Sequence, residues 1–110
     1  MKRILVIDGQ GGRMGALVVA ELADLQGIEL IAIGTNSTAT AAMMRAGAVL
    51  GATGERPVVV NSAHADLIIG PVGIVVADAL LGEVTPAMAA AVGASQAQKI
   101  LIPVNRCSIL

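Results

Sequence analysis

An apolar strand that runs straight into a glycine-rich loop, with a helical pattern directly after it, constrains this chain more than any other feature. Ile4-Leu5-Val6-Ile7 leads into Asp8, and Gly9, Gly11, Gly12 and Gly15 then place four glycines in seven positions. A continuous Ile/Leu/Val run suits a central strand with both sheet faces covered. Glycines let the backbone turn sharply and come close to a phosphate, and the N–H groups of the next helix's first turn point at the negative charge. The spacing reads Gly9-x-x-Gly12-x-x-Gly15 or Gly9-x-Gly11-x-x-x-Gly15; the strict G-x-G-x-x-G pattern would need glycine in place of Met14. Asp8, Gly9, Gln10, Gly11, Gly12, Arg13, Met14 and Gly15 are therefore expected to form an anion or nucleotide cradle. The competing reading is a tight turn whose glycines serve only helix–sheet packing.

Two resemblances rest on these and later residues. Gly9-Gln10-Gly11-Gly12-Arg13-Met14-Gly15 is similar to the glycine-rich loop of dihydrodipicolinate reductases, which implies NAD(P)H held by a Rossmann domain. The chain as a whole resembles a small bacterial family of uncharacterised proteins classed as a domain of unknown function. The blocks that carry this are Ile7-Asp8-Gly9-Gln10-Gly11-Gly12, Gly34-Thr35-Asn36, Gly51-Ala52-Thr53-Gly54-Glu55, Ile69-Gly70-Pro71-Val72-Gly73 and Asn105-Arg106-Cys107. This resemblance implies a Rossmann-like fold and brings no activity with it. It also implies a natural chain that continues past Leu110.

The pattern along the chain gives the architecture. Arg3–Asp8 reads as the first strand, followed by a helix from Gly12 to about Gln26 with Met14, Leu17, Val18, Leu22 and Leu25 on its apolar face. Gly27 stops that helix, and Glu29–Gly34 is the second strand. Ser37-Thr38 caps a helix that runs to Gly47. A glycine-rich loop, Gly47–Arg56, then precedes a short strand at Pro57–Val60, and Asp66–Gly70 is the fourth strand. Only about five residues join those two strands, a reach of roughly 17 Å, whereas a parallel crossover normally takes a dozen or more. Gly73–Leu81 reads as a helix ended by Gly82, and Thr85-Pro86 starts a short helix through Val92. Lys99–Val104 is the last strand, with Pro103 marking a sheet edge. Alternating strands and helices give a single α/β domain over 1–110: a small open parallel sheet of about five strands in the order 3-2-1-4-5.

Length and composition bound the rest. The 110 residues suit one core, and 55% of them are hydrophobic although none is Phe, Tyr or Trp. Charged residues make up 14%, against an ordinary share of about 25%. So little charge leaves apolar surface to be covered, which points to a homo-oligomer. A net charge of -1 with no basic run and no stacking aromatics speaks against nucleic-acid binding. The apolar stretch Leu67–Leu81 is too short and too broken by Gly70-Pro71, Gly73 and Asp78 to span a membrane. One cysteine fits a reducing cytoplasm.

In an open parallel sheet, ligands bind beyond the carboxyl ends of the strands, where the strand order reverses. The strand ends here carry Asp8-Gly9-Gln10, Gly34-Thr35-Asn36, Asn61, Gly70-Pro71-Val72-Gly73 and Asn105-Arg106-Cys107. Together these form one polar rim, so Gly34, Thr35, Asn36, Gly70, Pro71, Gly73, Asn105 and Arg106 join the cradle as cofactor-binding candidates. Asp8 would repel a pyrophosphate, and its expected use is to accept from amides of its own loop rather than to hold a metal. The second strand ends without the acid that holds an NAD ribose, which leans towards NADP, with Arg13 and Arg45 as candidate cations. Cys107 beside Arg106 is the one candidate nucleophile, against the commoner role of a small buried hydrophobe. His64 reads as a surface residue at a helix end, and Glu55 as a solvated loop charge. Three functions follow: a nucleotide-binding module, an NAD(P)-dependent oxidoreductase, and a structural or regulatory oligomer that binds no nucleotide. The oxidoreductase lacks a second domain and any Tyr for proton transfer, so oligomerisation would have to complete its site.

Overall fold

The fold is built outward from β1 (Lys2–Asp8), whose apolar residues are all buried and alternate between two cores. Leu5 and Ile7 face one side of the sheet, Ile4 and Val6 the other. The computed structural model describes residues 1–103. The remaining strands are β2 (Ile28–Gly34), β3 (Leu50–Thr53), β4 (Leu67–Pro71) and β5 (Gln98–Ile102). All pair in parallel in the order β3-β2-β1-β4-β5, the order expected from the sequence. The register sets Asp8 beside Gly34 and Gly34 beside Thr53, so the carboxyl ends of β1, β2 and β3 lie level along one edge.

Helices cover both faces. Val19 of α1 (Arg13–Leu22) and Met43 of α2 (Ser37–Ala46) pack with Ile4, Val6, Leu30 and Ile69. Val58 of α3 (Glu55–Ser62) and Met88 and Val92 of α4 (Pro86–Ala94) pack with Leu5, Ile7, Ile33 and Ile68 on the opposite face. Both faces of the central strands are thus dry, which accounts for their unbroken Ile/Leu/Val sequence. None of the helices in the described residues is long and apolar enough to cross a membrane.

Several expectations are corrected. The third strand is Leu50–Thr53, inside the stretch read as a loop, and Pro57–Val60 is helical. Val58-Val59-Val60 carries strong β preference, but α3 is the crossover that a parallel β3–β4 connection requires, and tertiary context overrides the preference. Pro57 sits in the first turn of α3, where a missing N–H does no harm. Asn61 accordingly leaves the rim and donates to the Pro57 carbonyl. The helix expected over Gly73–Leu81 is only a 3₁₀ turn, Val72–Val75, because Asp78, Leu80 and Leu81 adopt left-handed φ of 70°, 57° and 58° and cannot continue a helix. Helix α1 ends at Leu22, with Leu17 and Leu25 exposed: its buried line runs through Gly15 and Val19, and Leu17 lies on the far side. Asn36, rather than Ser37-Thr38, caps α2, its Oδ1 accepting from Ala39 N at 2.9 Å. Strand β5 stops at Ile102, directly before Pro103. Thr85 does cap α4, with Pro86 as its first residue.

Candidate functional site

Asp8 closes the join between β1 and α1. Its Oδ1 accepts from Gly9 N at 2.8 Å and its Oδ2 from Gly15 N at 2.7 Å, the third residue of the helix. The carboxylate therefore caps α1 from the end of the preceding strand, a task that Gly12 at the N-cap has no side chain to perform. Asp8 is only 6% exposed. Burial pushes its pKa up, the Gly15 and Gly9 amides pull it down, and the charge of Glu83 pushes it up again; the net direction is upward.

The glycines divide into two kinds. Gly9, Gly12 and Gly15 each face protein: a Cβ would lie 2.6 Å from Thr35 Oγ1, 2.7 Å from Ala39 Cα and 2.6 Å from Met43 Sδ respectively. Gly12 also takes φ +73°, which L side chains rarely adopt. Gly11 differs, since a Cβ there would have Arg13 Cγ, 3.9 Å away, as its nearest neighbour. The Gly9-x-x-Gly12-x-x-Gly15 spacing is thus packing geometry, and Gly11 is the position where the backbone lies open.

The loop's donors divide similarly. Gly9 and Gly15 donate to Asp8, Gly12 N donates to Gly9 O at 2.9 Å, and Gln10 N donates to Glu83 Oε1 at 2.8 Å. Among the described residues, the N–H groups of Gly11, Arg13 and Met14 have no acceptor, and Arg13 has no carboxylate partner. All three residues border a groove of about 900 Å³ that separates the glycine loop from the segment after β4. Asp8, Gly9, Gln10, Gly12, Leu17, Pro71, Val72, Gly73, Val76, Ala79, Leu80 and Leu81 complete its lining. The strand order reverses between β1 and β4, so the groove occupies the crevice where ligands of open parallel sheets bind.

A family model described as "Domain of unknown function (DUF3842)" matches residues 3–110. The chain belongs to the DUF3842 family. No curated protein and no solved structure gives a match. In this DUF3842 chain the groove gathers nine of the residues expected at the site: Asp8, Gly9, Gln10, Gly11, Gly12, Arg13, Met14, Pro71 and Gly73. Gly15 lies beneath them, sealed by Asp8 and Met43. Gly70 lies within the sheet, where a Cβ would come within 2.5 Å of Ile7 O. Gly34 N donates to Thr40 Oγ1 at 3.1 Å. Asn105, Arg106 and Cys107 lie outside the described residues. Arg45 is removed from the rim: it occupies the last turn of α2, whose first turn is at the rim, a separation of about 12 Å along the axis.

Thr35 and Asn36 lie beside the groove and are joined to it by a residue that sequence reasoning missed. Glu83 Oε1 accepts from Thr35 Oγ1 at 2.5 Å and from Asn36 Nδ2 at 2.9 Å, in addition to Gln10 N. Burial works to raise the Glu83 pKa, but the bonds from Gln10, Thr35 and Asn36 outweigh it and hold the carboxyl below its ordinary value. Its only sequence signal was an acid between Gly82 and the Thr85-Pro86 cap, in a rim connection. Glu55 is exposed, as a solvated charge would be, but it opens α3 rather than lying in a loop, and its Oε1 accepts from Thr85 Oγ1 at 2.6 Å. His64 is exposed in the turn after α3. Among the described residues, no group of three or more His, Cys, Asp or Glu is placed to hold a metal ion.

Proposed function

We propose that this chain binds a nucleotide or dinucleotide of NAD(P) type, with a phosphate seated on the open part of the Gly9–Gly15 loop. The observation that carries the reading is the row of amides at Gly11, Arg13 and Met14 that find no acceptor among the described residues, next to an Arg13 guanidinium with no carboxylate partner among them, at the strand-order reversal. Helix N-terminal amides and a guanidinium both suit an acceptor-only, doubly charged group. The apolar wall of Val72, Val76, Ala79 and Leu80 suits a flat base or a nicotinamide ring. The single cysteine fits a reducing cytoplasm as the setting.

Gly11→Val tests this directly. The new side chain fits the open backbone position yet stands where a phosphate would approach. Calorimetry with NAD⁺, NADP⁺ and ATP is expected to give micromolar binding by the native chain, and at least about a tenfold loss in the variant at unchanged melting temperature. Equal affinity of the two proteins would overturn the reading.

A second reading is favoured by one observation. Leu17 is 70% and Leu81 96% exposed, and with Val72 and Val76 they leave the mouth of the groove apolar. A second copy of the chain covering this mouth would form a homo-oligomer, and could complete an oxidoreductase site or serve a structural or regulatory assembly without a nucleotide.

A further inference from the structure

The Glu83 side chain stands where β1 and β2 both end. It is held by the amide of Gln10, two residues past β1, and by the side chains of Thr35 and Asn36, the first two residues past β2. In nucleotide sites of parallel sheets this junction holds a ribose, and an acid at the end of the second strand accepts from its hydroxyls. Here the second strand runs into Thr35 and Asn36, and no acid follows it.

We propose that Glu83 supplies that carboxylate from the β4–α4 connection, so that the site takes ribonucleotides with a free 2′-hydroxyl and rejects 2′-phosphorylated ones. The inference rests on the nucleotide reading given above and reverses the preference expected from the missing acid of the second strand.

Three observations carry it. First, Gln10, Thr35 and Asn36 all donate to one oxygen, Oε1, while Oε2 has no partner among the described residues. A carboxylate so fixed presents an oriented acceptor, which a hydroxyl can satisfy and an acceptor-only phosphate cannot. Second, among the described residues no cation stands by to receive a 2′-phosphate: Arg45 is at the far end of α2, and Arg13 faces the groove on the other side of the loop. Third, the connection is built to deliver Glu83 to this point. Asp78, Leu80 and Leu81 hold left-handed backbone, and Asp78 N to Val84 O at 2.7 Å and Val84 N to Ala79 O at 3.2 Å tie the segment into a closed loop. Non-glycine residues held in that region persist only when their surroundings over-determine them. Leu80 Cδ1 and Glu83 Oε1 both crowd the position of a Cβ on Gly9, at 2.8 Å, so the glycine there makes room for the loop.

The test compares NAD⁺ with NADP⁺, which differ only in the 2′-phosphate, by calorimetry on the full chain and on Glu83→Gln. The glutamine keeps an oxygen for the three donors and removes the charge. The native chain is expected to prefer NAD⁺ by at least about tenfold, a difference of about 1.4 kcal/mol, and the variant to lose most of that preference. The native comparison stands alone should the variant fail to fold. Equal or tighter binding of NADP⁺ by the native chain, or an NAD⁺ preference that survives in Glu83→Gln, overturns this proposal and leaves the nucleotide reading intact. Binding of neither dinucleotide overturns both.

Discussion

Thr35 Oγ1 lies 2.5 Å from Glu83 Oε1, joining the end of β2 to a loop 48 residues further along the chain. The bond makes one surface of three separate segments: the glycine loop, the start of α2 and the β4–α4 connection. Gln10 N completes the link, so the glycine loop is tied to Glu83 through Gln10 N and to Asp8 through Gly9 N. Its remaining amides, at Gly11, Arg13 and Met14, have no acceptor among the described residues and are the ones the proposed phosphate would take.

Asp8→Asn is expected to destabilise the fold by about 1–3 kcal/mol. The substitution relieves the burial of a charge, but an amide offers its NH₂ to one of two N–H groups, Gly9 or Gly15, that now have an acceptor. The urea midpoint would fall at unchanged slope. A variant as stable as the native protein would show that the carboxylate does not hold α1 to β1.

Gly12 and Gly11 are neighbours with opposite roles. Gly12→Ala forces a Cβ against Ala39 Cα at left-handed φ and is expected to cost about 1–3 kcal/mol or more. Gly11→Ala meets open space and should change stability by no more than about 0.5 kcal/mol. Thermal melts of the pair measure the contrast, and equal losses would contradict it.

The two rim carboxylates should titrate in opposite directions from their ordinary values. Asp8, pushed up chiefly by burial, contributes stability that is present below its unfolded value of about 3.9 and lost as pH rises through its higher folded value. Glu83 is pushed up by burial but pulled further down by its three donors. Its contribution is present above an unfolded value of about 4.3 and lost as pH falls through the lower folded one. Carbon-13 titration of the side-chain carboxyls checks both directions. In Glu83→Gln the Asp8 titration should move down, since the Glu83 charge helps to raise it. An unmoved Asp8 would contradict the electrostatic link.

Leu17→Glu places a charge on an exposed face of α1 at the mouth of the groove. Stability of the isolated fold should change by no more than about 0.5 kcal/mol, while a homo-oligomer formed through this mouth should dissociate. Size-exclusion chromatography with light scattering reads the outcome. An oligomer unchanged by the substitution would place its interface elsewhere.

Most of the sheet was legible because burial on both faces leaves its mark in composition: Ile4–Ile7, Leu30–Ile33 and Leu67–Ile69 are continuous apolar runs. Strand β3 was not, since an edge strand reading Leu50-Gly51-Ala52-Thr53 needs no such run. The crossover at α3 was hidden by three consecutive valines, although the short connection they implied between strands already strained the strand reading. Helical periodicity over 73–81 gave no warning that Asp78, Leu80 and Leu81 would turn left-handed. The glycine loop announced itself locally. The Glu83 seat did not, because it exists only once β1, β2 and the β4–α4 connection have been brought together.

Amide chemical-shift mapping of the isotope-labelled chain on titration with NAD⁺ tests the nucleotide site most directly. The reading predicts saturable shifts that are largest at the Gly11, Arg13 and Met14 amides, with smaller ones at Thr35 and Asn36. Shifts centred away from the glycine loop, or none at millimolar ligand, would contradict it.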